Sequence, residues 1–150
     1  PGQIPAGGNC DHPWAFFDLL PTFCELIKVD PPEDIDGISI LPTLLGQPES
    51  QKERDFMYWE YKDEQAARIG NYWVYRSHPE AEIKVYDADN DPAQENNLAR
   101  EKDDVVARAK DIFAKQHQQT VYAPDPGETI DAWRQRLAVA GVQLRNNADD

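Results

Sequence analysis

The stretch FMYWEYKDEQAARIGNYWVYR, Phe56 to Arg76, decides the fold of this chain. It opens on an aromatic, β-prone run, Phe56-Met57-Tyr58-Trp59-Glu60-Tyr61, of the kind that packs well on a pleated surface. Two further β-prone runs, Gln65 to Ile69 and Tyr72 to Arg76, flank Gly70-Asn71. A Gly-Asn pair between two such runs predicts a two-residue hairpin of type II′, with glycine at the position that needs positive φ. Ile83-Lys84-Val85-Tyr86 supplies a fourth short strand. A parallel crossover needs roughly a dozen residues or more, so links this short predict an antiparallel sheet.

Outward from the sheet, Glu101 to about Gln118 reads as a helix. Val105, Ala109, Ile112 and Phe113 form its apolar stripe, which is expected to cover one face of the sheet. A last helix is predicted with Thr129 as N-cap, Ile130, Trp133, Leu137 and Ala140 as its apolar positions, and Gly141 as its stop. The polar tail from Asn146 to Asp150 is expected to fray. On the other side, a helix is predicted to start at Asp18, whose carboxylate can accept a free N–H of the first turn. Pro21 then lies where its missing N–H costs little, and Leu19, Leu20, Phe23, Leu26 and Ile27 make one apolar face. His12 to Phe17 is an aromatic turn or short helix, and Pro31-Pro32 ends the unit. Asp36 to Ser39 reads as a turn, Leu41 to Leu45 as a short helix closed by Gly46, and Gln47 to Arg54 as a polar surface loop. The turn-rich start, Pro1 to Gly8, resembles a loop leaving some earlier element, so the chain is expected to be part of a longer polypeptide.

Charge narrows the partners. Lys and Arg number 15 against 28 Asp and Glu, a net charge of −13. Nucleic acid and anionic membranes would be repelled, and neither is expected as a partner. No apolar run approaches the roughly 18 residues of a membrane-spanning helix. Apolar residues make up 40%, with 4 Trp, 6 Tyr and 5 Phe, enough for a real core.

The chain shows no complete catalytic constellation: it has no Gly-rich phosphate loop and no G-x-S-x-G elbow. Asp87-Ala88-Asp89-Asn90-Asp91 starts like a calcium loop, but Pro92 and Leu98 stand where the EF-hand needs glycine and glutamate. A turn of Asx residues bonding their own backbone is expected there instead. His12, His78 and His117 are scattered, without partners at helical spacing, and no metal site is expected from them. His78 and His117 are expected to be solvated. Cys10 and Cys24 have no CxxC spacing and read as buried or semi-buried free thiols, with a disulfide possible but not implied. Two residues are candidates for contact with a ligand. His12 lies beside Trp14 and Phe16, and pockets mix aromatics with a few polar groups. Arg68 carries a planar fork that suits sulfate or carboxylate; its structural alternative is a cross-strand ion pair with Glu60.

The order of the motifs adds a further reading. Pro1-Gly2-Gln3-Ile4-Pro5-Ala6-Gly7, Asp18-Leu19-Leu20-Pro21-Thr22, and Asp36-Gly37-Ile38-Ser39-Ile40-Leu41-Pro42 with Leu45-Gly46 are followed by Tyr58-Trp59-Glu60. Then come Ala67-Arg68-Ile69-Gly70-Asn71-Tyr72-Trp73 and Val85-Tyr86-Asp87 through Asn90-Asp91-Pro92 to Glu95-Asn96-Asn97-Leu98-Ala99. Taken together, over about residues 1 to 115, these resemble the closing motifs of sulfatases, the arylsulfatase branch of the alkaline-phosphatase-like superfamily. Val74 stands where that family often has lysine, and the segment after Tyr122 carries no resemblance.

The resemblance implies an α+β fold: residues 1–54 end the large alkaline-phosphatase-like α/β domain with a helical segment, and 55–122 form a subdomain of a four-stranded antiparallel sheet with a packed C-terminal helix. Residues 123–150 are then a helical extension and tail. It implies a parent enzyme that hydrolyses sulfate esters with a calcium ion and a formylglycine made from Cys or Ser in a C-x-P/A-x-R motif. Neither Cys10 nor Cys24 is followed by that pattern. The family's metal-binding aspartates and catalytic Lys and His lie upstream of the first motif. By this reading the chain holds no catalytic residue, no metal ligand and no cofactor of its own. Its partner is the N-terminal catalytic portion of the same protein, its substrate through the parent is a sulfated small molecule or glycan, and its location is periplasmic or secreted if the parent is a typical bacterial sulfatase. Two alternatives stay open: a free-standing, non-catalytic binding or interaction module, and part of a related phosphatase or phosphonate hydrolase.

Overall fold

The computed structural model describes residues 2–4, 6–118, 124–125 and 127–141. The chain divides into two compact units, Pro1–Met57 and Tyr58–Asp150.

In the first unit a 3₁₀ turn, Phe16–Asp18, runs into helix α1, Leu19–Ile27. Asp18 does not cap α1 as the sequence predicts. It sits at the end of that turn in helical conformation, and the N–H of Leu19 is already bonded to the Phe16 carbonyl. Its carboxylate, fully buried, points instead to three other segments. Oδ2 accepts the N–H of Ala15 (2.7 Å), and Oδ1 accepts the N–H of Ile38 (2.8 Å) and the guanidinium of Arg54. Thr22 adds a fourth tie: its hydroxyl donates to the Asp18 carbonyl (2.6 Å) and accepts the N–H of Ile40 (3.0 Å). Gly37 is required by the same fit, because a Cβ there would fall 2.2 Å from the Phe17 carbonyl oxygen and 2.9 Å from Pro21 Cγ. The two sequence motifs around Asp18 and Gly37 are thus one clamp. The left-handed Lys28 (φ +60°) ends α1 ahead of Pro31. Helix α2, Leu41–Leu44, closes at Gly46 (φ +74°) as expected. The polar segment after it is tied down by Gln51, which accepts from the Thr43 hydroxyl (2.7 Å) and donates to the Ser39 carbonyl (2.8 Å).

The second unit is built on a sheet of order β1-β2-β3-β4, with strands Met57–Tyr61, Glu64–Ile69, Tyr72–Arg76 and Lys84–Asp87. Strands β2 and β3 form the expected hairpin, with Ile69 opposite Tyr72, and only Gly70 of the two turn residues takes positive φ (+55°), the signature of a II′ turn. Ala67, Val74 and Val85 pair across three strands and are buried. Helix α3, Asp103–Gln116, contributes Val105, Ala109, Ile112 and Phe113 to the same core, all four as predicted. The outer edge of β4 is covered, since Val85 donates to Asn97 Oδ1 (3.1 Å) and accepts from the N–H of Leu98 (2.8 Å). Helix α4, Ile130–Val139, starts on Thr129, whose hydroxyl accepts the N–H of Ala132 (3.2 Å). Of its predicted apolar positions, Leu137 is buried and Trp133 half-buried, but Ile130 and Ala140 are exposed. A two-pronged ion pair of Arg136 with Glu128 (2.6 and 3.1 Å) ties this helix to the turn before it. The tail predicted to fray, 146–150, lies outside the described residues. No helix among the described residues is long and apolar enough to cross a membrane.

Candidate functional site

The first unit presents an apolar surface along α1. Of the apolar face read from the sequence, Leu20, Phe23, Leu26 and Ile27 are 48–67% exposed. Phe16 before the helix is 85% exposed, and Trp14 and Val29 continue the patch. The buried residues of α1 are Pro21 and Thr22. The cause is the clamp: Thr22 must face Ile40, and the helical period then turns Leu20, Phe23 and Ile27 away from it. His12 is half-buried, and its backbone N–H points at Cys10 Sγ (3.2 Å). Both cysteines are free; Cys24 is half-buried as expected, but Cys10 is exposed, because the loop that carries it does not enter a core.

The second unit carries a cluster on the sheet face turned away from α3. Arg68 pairs with Trp73, and Trp73 with Tyr86, so the three share that face. Trp59 joins them, its ring 5.5 Å from that of Trp73. The Arg68 guanidinium lies 5.6 Å from the Trp73 ring centroid, donates from Nε to the Gly70 carbonyl (3.2 Å), and stands 3.6 Å from Asp89. Asn71 holds the other oxygen of Asp89 at 2.5 Å. The ion pair anticipated between Arg68 and Glu60 is therefore not the one made. Glu60 lies in phase with Tyr58 on the α3 side of β1, where it accepts from the Tyr58 hydroxyl (2.6 Å) and meets His117 Nδ1 (2.6 Å). His117 is exposed, as expected, and is also engaged by this carboxylate. His12 belongs to the first unit and Arg68 to the second.

Sequence reading missed the polar hub beneath α3. Gln65, almost fully buried, donates to the Tyr58 hydroxyl (2.8 Å) and the Phe113 carbonyl (3.3 Å), and accepts from Arg76 Nε (2.7 Å). Strand alternation could have found it, because Gln65 is in phase with the buried Ala67 and Ile69. Burial, then the neighbouring Glu60, push the Tyr58 hydroxyl far above its ordinary range, so it stays a donor at any physiological pH.

The acidic turn after β4 is built as its Asx residues predict. Asp87 Oδ1 accepts the N–H groups of Asp89 (3.0 Å) and Asn90 (2.9 Å), and Asp91 accepts those of Glu95 (3.0 Å) and Asn96 (2.9 Å). Among the described residues no group of three or more His, Cys, Asp or Glu side chains is placed to hold a metal ion.

Comparison with known proteins covers parts of both units. A family model described as N-sulphoglucosamine sulphohydrolase, C-terminal, matches residues 1–120. Human arylsulfatase D is 30% identical over 99 residues, which cover 57% of this chain and 16% of that protein. The Delta 4,5-hexuronate-2-O-sulfatase of Bacteroides thetaiotaomicron is 30% identical over 117 residues, 64% of this chain and 24% of that one. A solved candidate sulfatase from Bacteroides thetaiotaomicron VPI-5482 superposes with a TM-score of 0.54 at 27% identity, over 65% of this chain and 24% of its own. The four-stranded antiparallel sheet with helices is the architecture of these C-terminal regions. The chain spans about a quarter or less of the length of each of these relatives.

Proposed function

Because the chain belongs to the family of N-sulphoglucosamine sulphohydrolase C-terminal regions, we propose that it is the closing part of an enzyme that hydrolyses sulfate esters of sugars, with the nucleophile and metal ligands supplied by another part of the same polypeptide. The sugar is supported by the likeness to a hexuronate-2-O-sulfatase. The division of labour is supported by one observation above the others, the apolar face of α1 that stands in water. A patch of this kind marks an interface. A free-standing binding module would have its best amphipathic helix turned inward, so this face favours the enzyme-part reading over the module.

The residues present do not fit the calcium and formylglycine that the sulfatase resemblance implies. Both Asp91 oxygens accept backbone N–H groups, and Asp87 accepts two backbone N–H groups on Oδ1 and the Asn90 side-chain amide on Oδ2. Neither cysteine lies in a C-x-P/A-x-R sequence. The chain's own share is packing support through α1 and its clamp; His12 of the first unit and Arg68 of the second are each proposed as a substrate contact.

The test compares the 150-residue chain with a polypeptide that extends it upstream. The chain alone should leave an aryl sulfate intact and bind an apolar-surface dye strongly. The extended polypeptide should hydrolyse the ester and bind less dye per mole. Robust hydrolysis by the pure 150-residue chain would sink the proposal.

A further inference from the structure

Resting on the sugar-sulfate reading above for the choice of a sugar, we infer that the cleft between α3 and the β3–β4 connection binds a short acidic saccharide. Arg76, Arg100 and Lys110 take its acid group, and the carboxylates beside them take its hydroxyls. The cleft lies wholly within the second unit and has a volume of about 820 Å³. Sites for small molecules span about 300–1,000 Å³. One wall is segment 79–83, between β3 and β4, and another is α3 at Asp103, Val106 and Lys110. Arg76, at the end of β3, and Asn97 complete the lining used here.

Two donors of the lining are fixed before any ligand arrives. Arg76 gives Nε to Gln65 Oε1 (2.7 Å) and Nη1 to the Pro79 carbonyl (2.8 Å), and its guanidinium lies 5.0 Å from the Phe113 ring centroid. Its Nη2 has no partner among the described residues and is not sealed from solvent. Asn97 spends Oδ1 on the N–H groups of Val85 and Ala99 (3.1 Å each), which leaves its amide nitrogen as a donor in fixed orientation. Groups held this way lose little freedom when they bind. Arg100 and Lys110 add two exposed cations that make no ion pair among the described residues. Glu80, Glu82 and Asp103 line the same cleft, so its charge is balanced in a chain of net charge −13, and none of the three is closed onto a cation. That mixture selects the ligand. The carboxylates repel a polyanion but accept protons from hydroxyls. The cations suit one acid group, and the arginine fork fits a sulfate or a carboxylate. A sugar with a single acid group meets both requirements.

The probes are glucose 6-sulfate and glucuronate, with glucose as the neutral control. They are followed by NMR through the Arg76 Nε–H and Asn97 side-chain amide signals of the 150-residue chain. At least one of the two acids should shift both signals saturably, in the roughly millimolar range expected of a few solvent-exposed polar contacts. Glucose should bind at least about tenfold more weakly. Whichever acid binds more tightly identifies the group that the cleft takes. R100A and K110A alter exposed side chains, and each should weaken binding of that acid by about two- to fivefold, the worth of one exposed ion pair. R100A/K110A should weaken it by about the product of the two. Thermal midpoints of the variants show that each is folded. No saturable shift with either acid, glucose binding as tightly as the acids, or a folded R100A/K110A that binds like the parent chain overturns the site. Hydrolysis of an aryl sulfate by the extended polypeptide is followed in parallel. Hydrolysis without the shifts in the chain overturns the cleft site alone, and shifts without hydrolysis overturn the enzymatic reading alone.

Discussion

Asp18 shows how much one residue settles in this chain. Its carboxylate is out of contact with water, and Arg54, 36 residues away, supplies the compensating charge. Removing one partner of such a pair leaves a buried charge alone, at a cost of about 3–5 kcal/mol. R54A should therefore lower the unfolding free energy by about that amount in urea, while D18N/R54A together should recover part of the loss; equal losses in the single and double variants would contradict the account. Asp87 gives a pH prediction of definite sign. The Asn90 side chain, then the backbone N–H groups of Asn90 and Asp89, hold its carboxyl below the ordinary aspartate value. The folded state thus binds this proton less readily than the unfolded one, so the stabilisation is present above about pH 3.9 and is lost as pH falls through the folded value. Thermal midpoints should fall less steeply below about pH 4 in D87A than in the parent chain. Sequence reading marked both aspartates, but unequally well. Asp87 was legible because its partners lie two and three residues on. Asp18 was misread as a helix cap because its true partners, Ile38 and Arg54, are set by tertiary structure.

At the scale of elements, period was legible and direction was not always so. The Gly70-Asn71 hairpin and the stripe of α3 were read correctly, because strand alternation and the 3.6-residue repeat each have one face that can be buried. The same repeat identified α1 as amphipathic but does not say which way its apolar side faces, and that side is exposed. Nothing local says that Thr22 is the side chain that must be inside; that follows from its bond to Ile40. The exposed side makes a prediction that an ordinary amphipathic helix would fail. F23S/L26S should change the unfolding free energy of the 150-residue chain by only about 0.5 kcal/mol, the range for surface substitutions. The same pair in the extended polypeptide should destabilise it by several-fold more. A large loss in the short chain, measured by urea unfolding, would mean that α1 packs inward after all.

For the molecule as a whole, the family was legible from the order of motifs over about residues 1 to 115, and the family model covers residues 1–120. Composition also set an expectation about partners, since 28 acids against 15 bases argue against nucleic acid. What stayed hidden were the pairings that close over distance, such as Arg68 with Asp89 and Glu60 with His117. The clamp at Asp18 has one more consequence, in the exchange of amide protons with solvent. The N–H groups of Ile38 and Ile40 lie in neither helix nor strand, where exchange is ordinarily fast, yet each is bonded to a buried or nearly buried side chain of α1 or the turn before it. They should be among the slowest protons of the first unit in deuterium exchange, as slow as the interior of α1. If they exchange with the loops instead, the segment around Gly37 opens independently of the helix, and the clamp is not a cooperative unit.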